Sequence, residues 1–284
     1  MSEQTLNISV RETIKRSKKG KINIRAKDKS KIYIKCTLGI LVILTVLGFL
    51  TFDYKGINIS EAISITFENI KTMFFEAELS HFGIEQALKQ IIITVSLAFL
   101  TTIIGAVIAL FLGIFASSNL SNKRVCLTIK GFVALIRAIP TVLWVLIFAV
   151  TAGLGSEAAV IGMTFHTVGY LIKAYSEAFE EIDEGVIEAL KASGGSFWQI
   201  VFQAVFPSSI RYIIAWTFLR FEINFTNAVA MGAAAGAGGI GFELFMSSNF
   251  YFNVREVGII SIMILICAMC LEFFSTKIKN KYIN

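Results

Sequence analysis

Long apolar stretches alternate along this chain with short polar connections. A helix needs about 20 apolar residues to cross the hydrocarbon of a bilayer, with a range of roughly 17 to 25. Six stretches approach that length: 34–52, 91–117, 131–155, 158–175, 207–230 and 257–276. The second carries no charge at all, and Pro207 is placed to open the fifth, since its missing N–H has no partner in a first helical turn. The pattern predicts an all-α transmembrane protein with six spans.

Basic residues orient those spans. Lys123, Arg124 and Lys130 lie between the second and third, and Lys277, Lys279 and Lys281 follow the sixth. Eleven of the 26 Lys and Arg residues fall within the first 35 positions. Positive residues in short loops mark the cytoplasmic side, so both termini are expected there. The segment 53–89 is then extracytoplasmic, and its acidic residues outnumber its lysines. The loop 173–206 is cytoplasmic by parity although it is strongly acidic, a tolerable exception because acidic residues contribute little to the rule. A cleavable signal peptide is disfavoured, since the first apolar stretch begins late and ends at Asp53-Tyr54-Lys55. The chain divides into a basic cytoplasmic tail (1–35), a first span with an extracytoplasmic segment (36–90) and a transport unit (91–279).

Composition narrows the function. With 55% hydrophobic and 16% charged residues the chain is an integral membrane protein. Its net charge of +6 is concentrated in the tail, so nucleic acid is not expected as a partner; such a cluster can touch anionic lipid, but a charge that only marks the cytoplasmic side is the favoured reading. Cys267 and Cys270 stand one helical turn apart without a nearby histidine, which reads as buried thiols and no metal. Gly236 to Gly241 matches G-x-G-x-x-G, but it follows an apolar helix with no βαβ alternation, so a helix-breaking turn is expected there and no cofactor.

The acidic loop carries the most information. Glu177, Glu181, Glu184 and Glu188 recur at helical spacing and are expected on one helix face. Small residues at Ala189, Ala192 and Ser193 permit close approach by another protein, and Gly194-Gly195 can take positive φ and turn the chain. Beyond the turn Phe197, Trp198, Val201, Phe202, Val205 and Phe206 define an amphipathic helix suited to the inner membrane surface.

Glu188-Ala189-Leu190, then Gly194 and Pro207, resembles the cytoplasmic coupling loop of ABC-importer permeases, written EAA, three residues, G, nine residues, I-x-L-P. Leu190, Ala204 and Phe206 replace the motif's second alanine, isoleucine and leucine. More narrowly, Arg137-Ala138-Ile139-Pro140 with Trp144, the run from His166 to Lys173, Gly236 to Gly241, and Arg255-Glu256 are similar to the phosphonate-type branch. Thr141 stands where that branch often has an acidic residue, and Phe225 where an arginine is common. The resemblance implies a six-helix type I permease with a cytoplasmic coupling helix in a bacterial plasma membrane. It implies a homodimer with two ATPase subunits and an extracytoplasmic solute-binding protein, importing phosphonate or a related phosphorus oxyanion. The implied coupling residues are Glu188, Ala189, Ala192, Gly194 and Pro207. The chain has no G-x-x-x-x-G-K-[ST] loop, so it is expected to be no enzyme, with ATP hydrolysed in a partner.

Ionisable residues at membrane depth are costly and therefore functional candidates. Arg137, His166, Arg220, Glu222 and Asn224 form the candidate translocation pathway, although Arg220 and Glu222 could equally serve in helix packing. The competing functions are an ABC permease for another small solute and an ATPase-independent secondary transporter or channel.

Overall fold

The computed structural model describes residues 29–52 and 56–283, and among these the chain forms helices and turns without a strand. Most of the basic tail lies outside the described residues. The chain divides after Ala62 into two compact units. The first contains α1 (Lys29–Thr51), an apolar helix exposed along its described length, and the start of α2 (Ile59–Phe75).

In the second unit the central elements are α3 (Ile84–Ala116) and α6 (Ser156–Glu180), which pack on one another most extensively. Small residues allow this approach. A Cβ on Gly105 of α3 would lie 2.5 Å from the Thr167 methyl of α6. Around this pair lie α4 (Lys123–Ala138), α5 (Thr141–Ala152), α9 (Phe206–Ala235), α10 (Ile240–Asn249) and α11 (Val254–Ile283). The short α7 (Glu184–Ala192) and α8 (Phe197–Ile200) connect α6 to α9. One apolar core gathers Leu171, Tyr175 and Phe179 of α6 with Ile187 of α7 and Ile200 of α8. Another joins Val145, Met163, Phe225 and Met231.

The helical class agrees with the sequence reading, but the six apolar stretches are not six uninterrupted helices. Among the described residues three helices, α1, α3 and α11, are long and apolar enough to cross a membrane, and counting each of two bent pairs as one span gives five. The third stretch is broken at Pro140, where α4 and α5 meet at 90°. Proline supplies no N–H and confines the preceding residue, here Ile139 with φ −97° and ψ 124°, to extended geometry. Trp144 spans the corner by donating Nε1–H to the carbonyl of Ile136 at 3.0 Å. The segment 53–89 holds a helix, α2, where the charges pointed only to an outer connection.

The fifth stretch does not open at Pro207. The helix starts at Phe197 and passes through a π-helical turn, Val201–Val205, directly into α9, so Pro207 lies within continuous helix. A proline cannot donate to the ladder, and the wider turn just before it carries the chain through. The π turn also changes the facing of the residues expected on one apolar side. Val201 and Val205 enter the core, while Phe197, Trp198 and Phe202 stay exposed.

At the opposite end of the unit a buried carboxylate ties distant segments together. Glu256, in the first turn of α11, is fully buried and accepts hydrogen bonds from the backbone N–H groups of Ser80 (3.1 Å) and His81 (2.9 Å). It also accepts from His81 Nδ1 at 2.6 Å and from Ser247 Oγ at 3.1 Å. The His81 ring stacks on Tyr251, and Arg255 pairs with Glu76 at 2.8 Å. A buried donor left without its acceptor costs about 1–3 kcal/mol. Glu256→Ala orphans several at once and is expected to destabilise by about 3 kcal/mol in total, with faster amide hydrogen exchange at Ser80 and His81. Wild-type protection at those two amides in the variant would show that the carboxylate does not hold the segment.

Candidate functional site

The motif around Glu188 and Gly194 is built by three local devices. Asp183 caps α7, its carboxylate accepting from Gly185 N–H at 2.7 Å. This cap, and the end of α6 at Glu180, separate the four glutamates expected on one face: Glu177 belongs to α6, Glu181 to the turn, Glu184 and Glu188 to α7. Ile187 is buried and Leu190 packs against the core, so the apolar side of α7 is fixed to the bundle. That leaves Glu188, Ala189, Lys191 and Ala192 exposed.

The two glycines after α7 serve different purposes. Gly194 has φ +84°, the left-handed region, while its N–H bonds Lys191 O at 3.0 Å. Gly195 is needed for space, since a Cβ there would lie 2.8 Å from the Leu190 carbonyl oxygen. Ser196 then opens α8 with a reciprocal capping box: its hydroxyl accepts from Gln199 N–H and its N–H donates to the Gln199 side chain. The result is a rigid helix, turn, helix enclosing a cleft of about 240 Å³ lined by Ser193, Gly194, Gln199 and Gln203 among others. Pro207 is not part of it and serves the passage into α9.

Deeper in the unit, three of the five intramembrane candidates form one network. Arg220 of α9, 2% exposed, donates Nε–H to Thr167 Oγ1 at 3.2 Å and a terminal N–H to His166 Nδ1 at 3.0 Å. Arginine is donor-only, so Nδ1 must accept and the imidazole is neutral with its proton on Nε2. Thr167 donates to Asn224 Oδ1 at 3.1 Å, and Asn224 Nδ2 donates to Thr102 Oγ1 at 2.8 Å. The guanidinium lies over the Tyr170 ring, 5.0 Å from its centre. Helices α3, α6 and α9 are thereby joined through polar groups at one depth.

Glu222 is not part of this network. Two residues from Arg220 on a helix, it points to a different side, and among the described residues no carboxylate lies within 4.0 Å of Arg220. The guanidinium is thus held by neutral acceptors and a ring face. Arg137, at the end of α4, is exposed, and its Cγ lies 3.6 Å from where a Cβ of Gly169 would stand. It borders the network on the side of Tyr170.

Thr102 was not singled out from sequence, and Thr167 and Tyr170 entered only as part of the run from His166 to Lys173, not as pathway candidates. Only their hydroxyls within apolar runs could have marked them. A further tie connects the loop before α4 to the end of α6. Glu180 accepts from Lys130 Nζ at 2.8 Å and from Ser118 N–H at 2.7 Å. Burial raises the Glu180 carboxyl's pKa, but the Lys130 and Ser118 hydrogen bonds outweigh it and hold the pKa below the ordinary value. The stabilisation from this tie is present above the unfolded-state pKa and is lost as pH falls through the depressed folded value.

A family model for the binding-protein-dependent transport system inner membrane component matches residues 109–280. The phosphite transport system permease protein PtxC of Stutzerimonas stutzeri is 29% identical over 216 residues, covering 75% of this chain and 78% of its own. The phosphate-import permease protein PhnE of Mycolicibacterium smegmatis is 29% identical over 191 residues, 67% of this chain; the match spans only 36% of that protein. Among solved structures, an inward-facing form of the MetNI methionine ABC transporter superposes with a TM-score of 0.63 at 21% identity, over 72% of this chain and 99% of that one.

Thr167→Val keeps the side chain's shape and removes the hydroxyl, leaving Arg220 Nε and Asn224 Oδ1 each without a partner. The expected cost is about 1–3 kcal/mol, read as a lower melting temperature of the detergent-solubilised protein. An unchanged melting temperature would mean that water or another group replaces the hydroxyl at no cost.

Proposed function

The chain belongs to the binding-protein-dependent transport system inner membrane components, and on that premise we propose that it is the multi-pass permease subunit of an ATP-driven importer for a phosphorus oxyanion. In this reading a homodimer of the chain spans the bacterial plasma membrane with both termini in the cytoplasm. Two separate ATPase subunits dock at the 188–194 loop, and an extracytoplasmic binding protein delivers the solute.

One observation carries the cargo assignment: a guanidinium buried at membrane depth, oriented by neutral groups and without a carboxylate partner among the described residues. Intramembrane charges ordinarily pair within the bundle. A cation whose hydrogen bonds orient it but whose charge is not neutralised is suited to a passing anion. His166, with its proton on Nε2, adds a second donor of no charge, so transient binding need not become a trap. The names of the phosphate and phosphite relatives support the same class. The structural neighbour is a methionine transporter, which makes an amino acid the specific rival cargo.

Coupling rests on the exposed face of α7 and the left-handed turn at Gly194. A β-branched residue at φ +84° is strongly disfavoured, and it would also crowd the docking surface. Gly194→Val is expected to leave an inserted, folded protein that retains less than a tenth of wild-type uptake and loses its ATPase during copurification. Full uptake with the ATPase still bound would remove the docking assignment.

For the cargo, deletion of this chain is expected to abolish growth on phosphite or a phosphonate as sole phosphorus source where no other route exists. Arg220→Gln should impair uptake of the same anion at least tenfold while the ATPase still copurifies. Normal growth of the deletion strain on these sources, with loss of methionine uptake instead, would reject the oxyanion and leave the permease assignment intact.

A further inference from the structure

A cleft of about 290 Å³ opens between α4 and α6 at the end of the unit nearest α7. Three cations border it, Lys130, Arg137 and Lys173, against two carboxylates, Glu177 and Glu180. Glu180 is committed to structure, since it bonds Lys130 and the backbone of Ser118 together. Glu177 is held more loosely: it lies 3.5 Å from Lys173 Nζ, with both side chains about half exposed. Exposed pairs at i, i+4 contribute little and exchange readily with other ions. Arg137 has no carboxylate within 4.0 Å among the described residues.

The cleft continues the buried network. An adjoining opening of about 120 Å³ shares Arg137, Lys173 and Glu177 and adds Tyr170 and Trp216. Tyr170 is the ring over which the Arg220 guanidinium sits. His166, Tyr170, Lys173 and Glu177 follow one another at helical spacing along one face of α6. At 1.5 Å per residue Lys173 stands about 10 Å along the axis from His166, which is a separate position and not an extension of the same contact.

We infer that this cleft is a second anion site, specific for a phosphate-type group, in which Arg137 is the cation without a carboxylate of its own and Lys173 exchanges Glu177 for the ligand. The inference rests on the proposed transport of a phosphorus oxyanion and adds the position that receives the anion after Arg220. The planar fork of Arg137 offers two parallel N–H donors to two phosphoryl oxygens. Lys173 supplies a mobile point charge, and the cleft's net single positive charge favours an anion without holding it against release. A phospholipid headgroup presents the same oxygens, so lipid is the other source of this chemistry.

The test uses the full chain assembled with its ATPase in lipid nanodiscs and carrying Ala134→Cys, an exposed position on the cleft. Modification by uncharged N-ethylmaleimide is followed by mass spectrometry of the peptide that contains it. In phosphatidylcholine nanodiscs, millimolar inorganic phosphate or methylphosphonate should slow the reaction at least threefold relative to chloride at equal ionic strength. Protection should disappear with Arg137→Gln, fall by at least half with Lys173→Gln, and persist with Arg220→Gln. Arg137-dependent slowing in phosphatidylglycerol nanodiscs without phosphate would support the site and identify lipid as its occupant. No protection in either lipid, or protection that survives Arg137→Gln, overturns the inference. Protection in a transporter that fails to import any phosphorus oxyanion would sustain the cleft while rejecting the cargo on which it was built.

Discussion

A guanidinium enclosed by helices has to be given hydrogen-bond acceptors by the protein itself, because lipid supplies none. Arg220 obtains them from Thr167 and His166, both on α6, and Thr167 is in turn joined to Asn224 and, through it, to Thr102 on α3. The register of three helices is therefore set by one side chain. A slip of α9 by a single residue would rotate Arg220 by about 100° and strand it against apolar neighbours. The close approach of α3 to α6 at Gly105 is the steric counterpart, since only there can the threonine that serves as hub come near enough.

Elements governed by local rules were visible in the sequence. The glycines after Ala192 marked a turn that the structure contains. The break at Pro140 and the cap at Asp183 follow equally local rules but were overridden by reading 131–155 as one span and the four glutamates as one helix face. Interactions between distant residues were not visible in this way. Glu256 is bound by backbone N–H groups 175 and 176 positions away, and nothing in Ser80 or His81 distinguishes them from other polar loop residues. The roles of Thr102 and Thr167 were hidden for the opposite reason, since a hydroxyl in an apolar run can simply bond back to its own helix, as Thr101 does to Leu97.

Of the residues proposed as a pathway, helical periodicity alone would have separated Glu222 from Arg220, because two residues on a helix face nearly opposite directions. The same periodicity failed for the apolar face beyond Ser196. A π turn inserts an extra residue per turn, and a 3.6-residue repeat projected through it assigns Phe202 and Val205 to one side when the chain divides them. Pro207 was the clue to that irregularity, although a helix start was the simpler reading of it.

The helix that begins at the turn after Gly195 is the same one that carries Arg220, running without a break from Phe197 to Ala235. Some 35 Å of continuous backbone therefore separate the loop from the guanidinium, by the rise of a helix. Such a rod behaves as a lever whose stiff arm ends among the buried hydroxyls and whose one soft segment, the π turn, sits close to the loop. On such a rod a tilt applied at the loop would be taken up first where the ladder is irregular, whereas a shift along the axis would be carried by regular helix toward Arg220.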